Sequence, residues 1–156
     1  MLIGLISDTH GLLRPDVHAA LEGVELILHA GDVGGSEILD ELRIIAPVKA
    51  VYGNTDAAWE PGMVQSLDLV LGGIKVHVSH GHELGRPKAA ALAAAYDADV
   101  IVYGHTHVQR VERVGGRLVV NPGAAGARRF DLMPSVARLV IEDGVARVTL
   151  VALAPS

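Results

Sequence analysis

Five short polar stretches, nearly all set directly behind an apolar run, constrain this chain more than any other feature. They are Ser7-Asp8-Thr9-His10, Gly31-Asp32-Val33, Gly53-Asn54-Thr55-Asp56, Ser79-His80-Gly81-His82 and Gly104-His105-Thr106-His107. A polar turn behind a buried apolar run is where a parallel strand hands its chain to the edge of a sheet, and that carboxyl edge is where ligands bind in open α/β sheets. Side chains two apart on an extended chain point to the same side. Asp8 with His10, and His105 with His107, can therefore each offer two donors to one small space. Glycines beside the donors (Gly31, Gly53, Gly81, Gly104) permit tight turns and close backbone approach. A fold that satisfies all five stretches gathers them on one edge.

The donors so gathered are Asp8, His10, Asp32, Asn54, His80, His105 and His107. Carboxylates, imidazoles and one amide, in a chain without cysteine, suit a pair of borderline divalent cations. Two such ions with two coordinating carboxylates leave roughly +2, or about +1 once hydroxide is bound, which attracts a phosphate ester. The neutral amide of Asn54 helps to keep that charge positive. One carboxylate, best Asp32, must bridge the ions to hold them about 3.5–4 Å apart. A lone Gly-Asp or His-x-His is usually a turn or an accident; the type, order and strand-end position of five together carry the reading.

The rest of the chain supplies a scaffold. Leu2–Ser7, Leu26–Ala30 and Val48–Tyr52 read as buried strands, alternating with helices over Pro15–Leu21 and Ser36–Ile45, the second with Ser36 as its N-cap. That rhythm predicts a parallel sheet. Hairpins follow: Ser66–Leu71 with Ile74–Ser79 around Gly72-Gly73, Val108–Val114 with Arg117–Val120 around Gly115-Gly116, and Ser135–Ile141 with Val145–Val151 around Asp143-Gly144. A helix over Pro87–Tyr96 and a strand over Val100–Tyr103 lie between the first two. The expected fold class is α/β, a four-layer α/β/β/α sandwich of two mixed sheets, in one domain spanning residues 1–156. With only five aromatic residues among 156, its core must be Val, Leu, Ile and Ala.

Several classes are disfavoured. The longest apolar runs are about six or seven residues, far short of the roughly 20 of a membrane helix. The opening MLIGLIS has no basic flank and reads as a strand, not a signal peptide. A net charge of −5 without a long basic stripe argues against stable nucleic-acid binding. Absence of cysteine is compatible with a reducing cytoplasm, the expected location. Among the remaining polar residues, His29 and His77 read as satisfied strand residues and His18 as a helix-surface residue. His82 lies beside the site and Asp56 orients the Asn54 loop. Arg128-Arg129 reads as a solvated pair, and Trp59 and Pro61 as a pocket rim or loop anchor.

The motif set Asp8-x-His10, Gly31-Asp32, Gly53-Asn54-x-Asp56, His80-Gly81-His82 and Gly104-His105-x-His107 resembles the calcineurin-like metallophosphoesterase superfamily. The chain length and Asn121-Pro122-Gly123 after the last motif resemble its small YfcE-type phosphodiesterase branch. The resemblance runs from Leu2 to about Leu150. It implies the four-layer sandwich and one metal held by Asp8, His10, Asp32 and His107, with a second held by Asp32, Asn54, His80 and His105. Manganese is the first expectation, with nickel, zinc, iron or cobalt as alternatives. It implies hydrolysis of a small phosphate ester by in-line attack of a bridging hydroxide, with Asp32, Asn54 and His80 in the catalytic machinery. Many members carry a histidine after the Gly-Asn pair to assist the leaving group. Here that position is Thr55, a poor general acid beside imidazole, as is common in the small branch. His82 is the alternative group. Two other functions are compatible with the same frame: a phosphomonoesterase or protein phosphatase, and a non-catalytic scaffold like the retromer subunit that shares the fold with a degraded metal site. All seven ligand positions are intact here. A homo-oligomer is compatible with the resemblance.

Overall fold

In the computed structural model, residues 1–58, 60–128 and 131–154 are described. The expectations for Trp59 and Arg129 fall outside them.

Strand β1 (Leu2–Ile6) runs through helix α1 (Val17–Ala20) to β2 (Leu26–His29), and through α2 (Ser36–Leu42) to β3 (Val48–Val51). A two-residue strand β4 (Met63–Val64) follows, then β5 (Leu67–Leu71) and β6 (Ile74–Val78). Helix α3 (Ala89–Ala95) leads to β7 (Val100–Val102), then β8 (Arg110–Val114), β9 (Arg117–Asn121), β10 (Ser135–Glu142) and β11 (Val145–Ala152). One sheet has the order β11-β10-β1-β2-β3-β4 and the other β5-β6-β7-β9-β8. In the first, β1 to β4 are mutually parallel, and β10 pairs antiparallel with both β1 and β11. In the second, β6, β7 and β9 are parallel, with antiparallel β5 and β8 at its edges.

Alternation along the strands builds the layers. Ile3, Leu5, Leu26 and Leu28 point inward and meet Val76, Val78, Val100 and Val102 of the other sheet in one buried cluster. The intervening Ile6 and Ile27 point outward and pack with Val17, Leu21, Leu39 and Leu42 of the first two helices and their flanks. On the far side, Ile101 and Val119 pack under Ala89 and Leu92 of α3. Helix, sheet, sheet, helix is the expected four-layer arrangement. Gly4 marks the tightest helix approach: a Cβ there would sit 3.0 Å from the Leu21 side chain.

Three local expectations need correction. Ser36 is already helical, and the N-cap is Gly35 with no side-chain cap bond. The chain enters α2 through Gly34 and Gly35, both at positive φ, so Ser36 arrives one position too late for its hydroxyl to cap. Both amphipathic helices are shorter than their apolar patterns, because packing against the sheet fixes only the central turns. The strand expected from Val108 begins at Arg110, where pairing with Asn121 starts.

Candidate metal centre

Each polar stretch leaves the carboxyl end of a strand: β1, β2 and β3 in one sheet, β6 and β7 in the other. Packing the sheets face to face brings these ends together. Asp8, His10 and His107 place one potential ligand atom each within 4.8 Å of one another, and Asp32, His80 and His105 do the same. Asn54 lines the adjoining cavity of about 420 Å³, together with Thr55, Asp32 and His10.

The two carboxylates are built alike. Asp8 Oδ2 accepts bonds from the Ser7 hydroxyl at 2.7 Å and the His105 N–H at 3.1 Å. Its Oδ1 has no hydrogen-bond partner, although it is buried. That free oxygen faces Nε2 of His107 at 3.3 Å, of His10 at 3.7 Å and of His80 at 3.8 Å. Asp32 Oδ1 accepts the Thr55 N–H at 3.0 Å, leaving Oδ2 at 3.2 Å from His80 Nε2 and 3.6 Å from His10 Nε2. One oxygen of each acid is fixed by the scaffold and the other is aimed at the imidazoles. Asp32 Oδ2 thus stands between rings of both clusters.

The tautomer of His80 makes the chemical demand explicit. Its Nδ1–H donates to the Ala30 carbonyl at 2.7 Å, so in the neutral ring the lone pair lies on Nε2. That buried nitrogen has no hydrogen-bond partner and points at carboxylate oxygen, lone pair against lone pair. A cation between them resolves the conflict, and backbone-oriented imidazoles are the usual ligands of such ions. Nε2 of His10 and of His107 approach each other at 3.3 Å, so both nitrogens converge on the same space. The donors therefore fit a pair of divalent ions.

The electrostatics agree. Burial opposes charge on Asp8, but the nearby His10, His107 and His80 rings and the Ser7 hydroxyl outweigh it and hold the acid well below the usual carboxylate range. Asp32 is likewise disfavoured by burial, yet His80 and the Thr55 amide bring it down to about 2. Burial pushes His80 down, but Asp32 and Asp8 win and raise it. Positive charge is favoured at that nitrogen. His105 is lowered by burial and by the neighbouring His80.

Backbone geometry shows what the residue pattern could not. Among the described residues, the non-glycine positions at positive φ are Asp8, His10, Asp32, His105, His107 and the hairpin residue Asp143. Five of these six are proposed ligands, held in a left-handed region that costs roughly 1 kcal/mol or more per residue. Asp56 braces them from behind, its carboxylate accepting the N–H groups of Val33, Gly34 and Gly53 at 2.9–3.0 Å. Two glycines are obligatory here. A Cβ on Gly104 would strike Ser7 Oγ, and one on Gly53 would strike Asp32 Oδ1.

Other histidines divide as their positions suggest. His77 bonds Asp68 at 2.8 Å and stacks on Tyr96 with ring centroids 3.8 Å apart, away from the centre. The His82 ring is 5.4 Å from that of His80 and 6.2 Å from that of His105. His29 is fully buried and has a part the sequence did not disclose. Its Nδ1 accepts the Gly31 N–H at 3.1 Å, so Nε2–H donates to Thr9 Oγ1 at 3.0 Å, and that hydroxyl donates to the Val33 carbonyl at 2.7 Å. One neutral ring ties the Asp8–His10 turn to the Gly31–Val33 turn. Arg86 and Leu132 line the cavity without any motif to announce them.

Burial lowers His29 from 6.5 to about 4. The unfolded chain binds a proton here between those values and the folded one does not, so the contribution is fully present above pH 6.5 and is lost as pH falls towards 4. The shift corresponds to about 3 kcal/mol. The thermal midpoint of metal-free protein should fall between pH 6.5 and 4 through this group, and His29→Gln should flatten that part of the profile. An equally steep fall in the variant would assign the decline to other groups.

Comparison with known proteins places this geometry. The calcineurin-like phosphoesterase superfamily domain matches residues 1–144. A probable metallophosphoesterase of Methanocaldococcus jannaschii, MJ0623, is 37% identical over 152 residues, covering 92% of this chain and 77% of the relative. The phosphodiesterase MJ0936 of the same organism is 32% identical over 141 residues, covering 79% and 83%. The crystal structure of wild-type Vps29 complexed with zinc, from Entamoeba histolytica, superposes with a TM-score of 0.79 at 28% identity, over 97% of this chain and 99% of that one. With its domain matched over most of its length and its relatives aligned across both sheets, this chain belongs to the calcineurin-like phosphoesterase superfamily.

Proposed function

We propose that the protein is a dinuclear metal-dependent phosphodiesterase. Asp8, His10, Asp32 and His107 would hold one ion, and Asp32, Asn54, His80 and His105 the other. The observation that carries this reading is Asp32 Oδ2, which faces ring nitrogens of both clusters at 3.2 and 3.6 Å, as a bridging carboxylate would. When bound, the metals supply a hydroxide nucleophile at neutral pH and offset charge on the phosphoryl oxygens; manganese is the first expectation. Residues of the chain do the rest. Ser7, the His105 amide and the Thr55 amide hold the two carboxylates in place, and Ala30 orients His80. Asn54 contributes a donor without adding negative charge. Asp32, Asn54 and His80 thus act directly at the reacting centre.

Thr55 lines the cavity over the candidate centre, at the position behind Asn54 from which a leaving group could be assisted. A hydroxyl there is a weak proton donor, which favours esters whose leaving group is already a good one. The likeness to a phosphodiesterase 32% identical points the same way, towards diesters rather than monoesters. Bis(p-nitrophenyl) phosphate should be hydrolysed with manganese, nickel, cobalt or zinc, and faster than p-nitrophenyl phosphate. Absence of turnover with all four ions would overturn the reading, and a preference for the monoester would make the protein a phosphomonoesterase. The Vps29 likeness supports a scaffold as second reading, to be preferred if purified protein binds no metal.

A further inference from the structure

The cavity over the metal centre does not end there. It shares Thr106 and Val108 with a second cavity of about 460 Å³, so the two form one groove leading away from the ligands. Arg86 stands in the first part and Lys88 in the second. Both are exposed, and neither has an ion pair or a side-chain hydrogen bond among the described residues. The second part also holds Arg110 and Glu112, which neutralise each other at 3.6 Å. Among the described residues, the only other carboxylate lining the groove is Asp32, which is turned towards the imidazoles. Arg86 and Lys88 thus stand as positive charges without a carboxylate partner among the described residues, in a chain with 18 acidic and 13 basic residues.

The backbone fixes where those charges stand. Gly85 adopts φ 80° and ψ −114° before Arg86, and Pro87 behind it is buried and rigid at φ. Lys88 is the N-cap residue of α3 and lines the second part of the groove. Beside the cations the lining is apolar, with Pro87, Ala89, Tyr103 and Val108. A ligand matching these surfaces has an anionic ester at the metals, a largely apolar or planar body, and a second anion against the two cations. Guanidinium and ammonium groups free of carboxylates bind phosphate through charge-assisted hydrogen bonds.

We propose that Arg86 and Lys88 form a second phosphate subsite, and that the substrate class is a nucleotide-like phosphodiester bearing a further phosphate group. This specificity rests on the phosphodiesterase reading, but the subsite can be tested apart from it. The matched probes are thymidine 5′-(p-nitrophenyl phosphate) and the same ester with a 3′-phosphate. In both, water oxygen bonds to phosphorus, the bond to p-nitrophenolate breaks, and the released phenolate is read by absorbance. The manganese-loaded protein should favour the 3′-phosphorylated ester by about ten-fold in kcat/KM, equivalent to one good charge-assisted contact. Arg86→Gln and Lys88→Gln should each lower that ratio, and the double variant should bring it near one. A wild-type ratio near one, or equal losses on both esters in the variants, would overturn the subsite. Calorimetric binding of thymidine 3′,5′-bisphosphate against thymidine 5′-monophosphate separates the two readings. Tighter, Arg86-dependent binding of the bisphosphate without turnover of either ester would keep the subsite and remove the diesterase. Turnover of both without that preference would do the reverse.

Discussion

Asp32→Asn is expected to abolish hydrolysis of bis(p-nitrophenyl) phosphate, by at least about 10³-fold, while leaving the fold intact. The loss corresponds to roughly 4 kcal/mol of transition-state stabilisation, the scale expected when a bridging carboxylate becomes a neutral amide. The fold survives for a specific reason. The amide oxygen can keep the place of Oδ1 and accept the Thr55 N–H, as the carboxylate does at 3.0 Å. The amide nitrogen then falls where Oδ2 stood, 3.2 Å from His80 Nε2. As a neutral ring His80 presents a lone pair there, its other nitrogen donating to Ala30. The amide replaces the carboxylate that raises His80 with a neutral hydrogen-bond donor, so the pair keeps a contact and the variant should fold and melt close to metal-free wild type. Bound metal should fall from two equivalents to one or none by elemental analysis. Near-full turnover with two ions still bound would remove Asp32 from the bridging role.

That expectation draws on two layers of information, of which only one was legible beforehand. The apolar runs, the Gly-Gly and Asp-Gly turns and the βα rhythm were enough to foresee two mixed sheets, since strand faces and hairpin turns have local signatures. β4, only Met63–Val64, was missed because two residues cannot display an alternating pattern. Helix ends were overextended for the opposite reason: apolar periodicity continues past the last residue that packing holds in place. In the candidate site, the donor side chains were visible as residue types behind strands. Their supports were not. The Ser7 hydroxyl and the Thr55 amide that fix Asp8 and Asp32 belong to ordinary-looking positions. The left-handed backbone at five donors follows from how turns from two sheets meet. Arg86 entered the picture only through three-dimensional proximity, being distant in sequence from every donor except the His80 stretch.

Removing the metals should destabilise this protein as well as silence it. The fold holds a buried Asp8 oxygen and a buried His80 nitrogen without hydrogen-bond partners, two facing imidazole nitrogens at 3.3 Å, and five donors at positive φ. The unpartnered oxygen and nitrogen gain a partner when a cation lies between them, and the converging donors stand in a backbone conformation that ligation holds in place. Binding to the folded state alone stabilises it by about 2.7 kcal/mol per site at a hundred-fold excess over Kd. Two sites give roughly twice that, and for a chain of this length each kcal/mol moves the midpoint by about 2–4 °C. Treatment with a chelator should therefore lower the thermal midpoint by on the order of 10 °C and eliminate phosphodiester hydrolysis, and added manganese should restore both. Because the ions satisfy groups that are otherwise in conflict, stability and activity should return together as the metal is titrated. Unchanged melting after verified removal of all metal would show that these side chains are content without ions. In that case the clustering of acids and imidazoles at the sheet edge would need another cause.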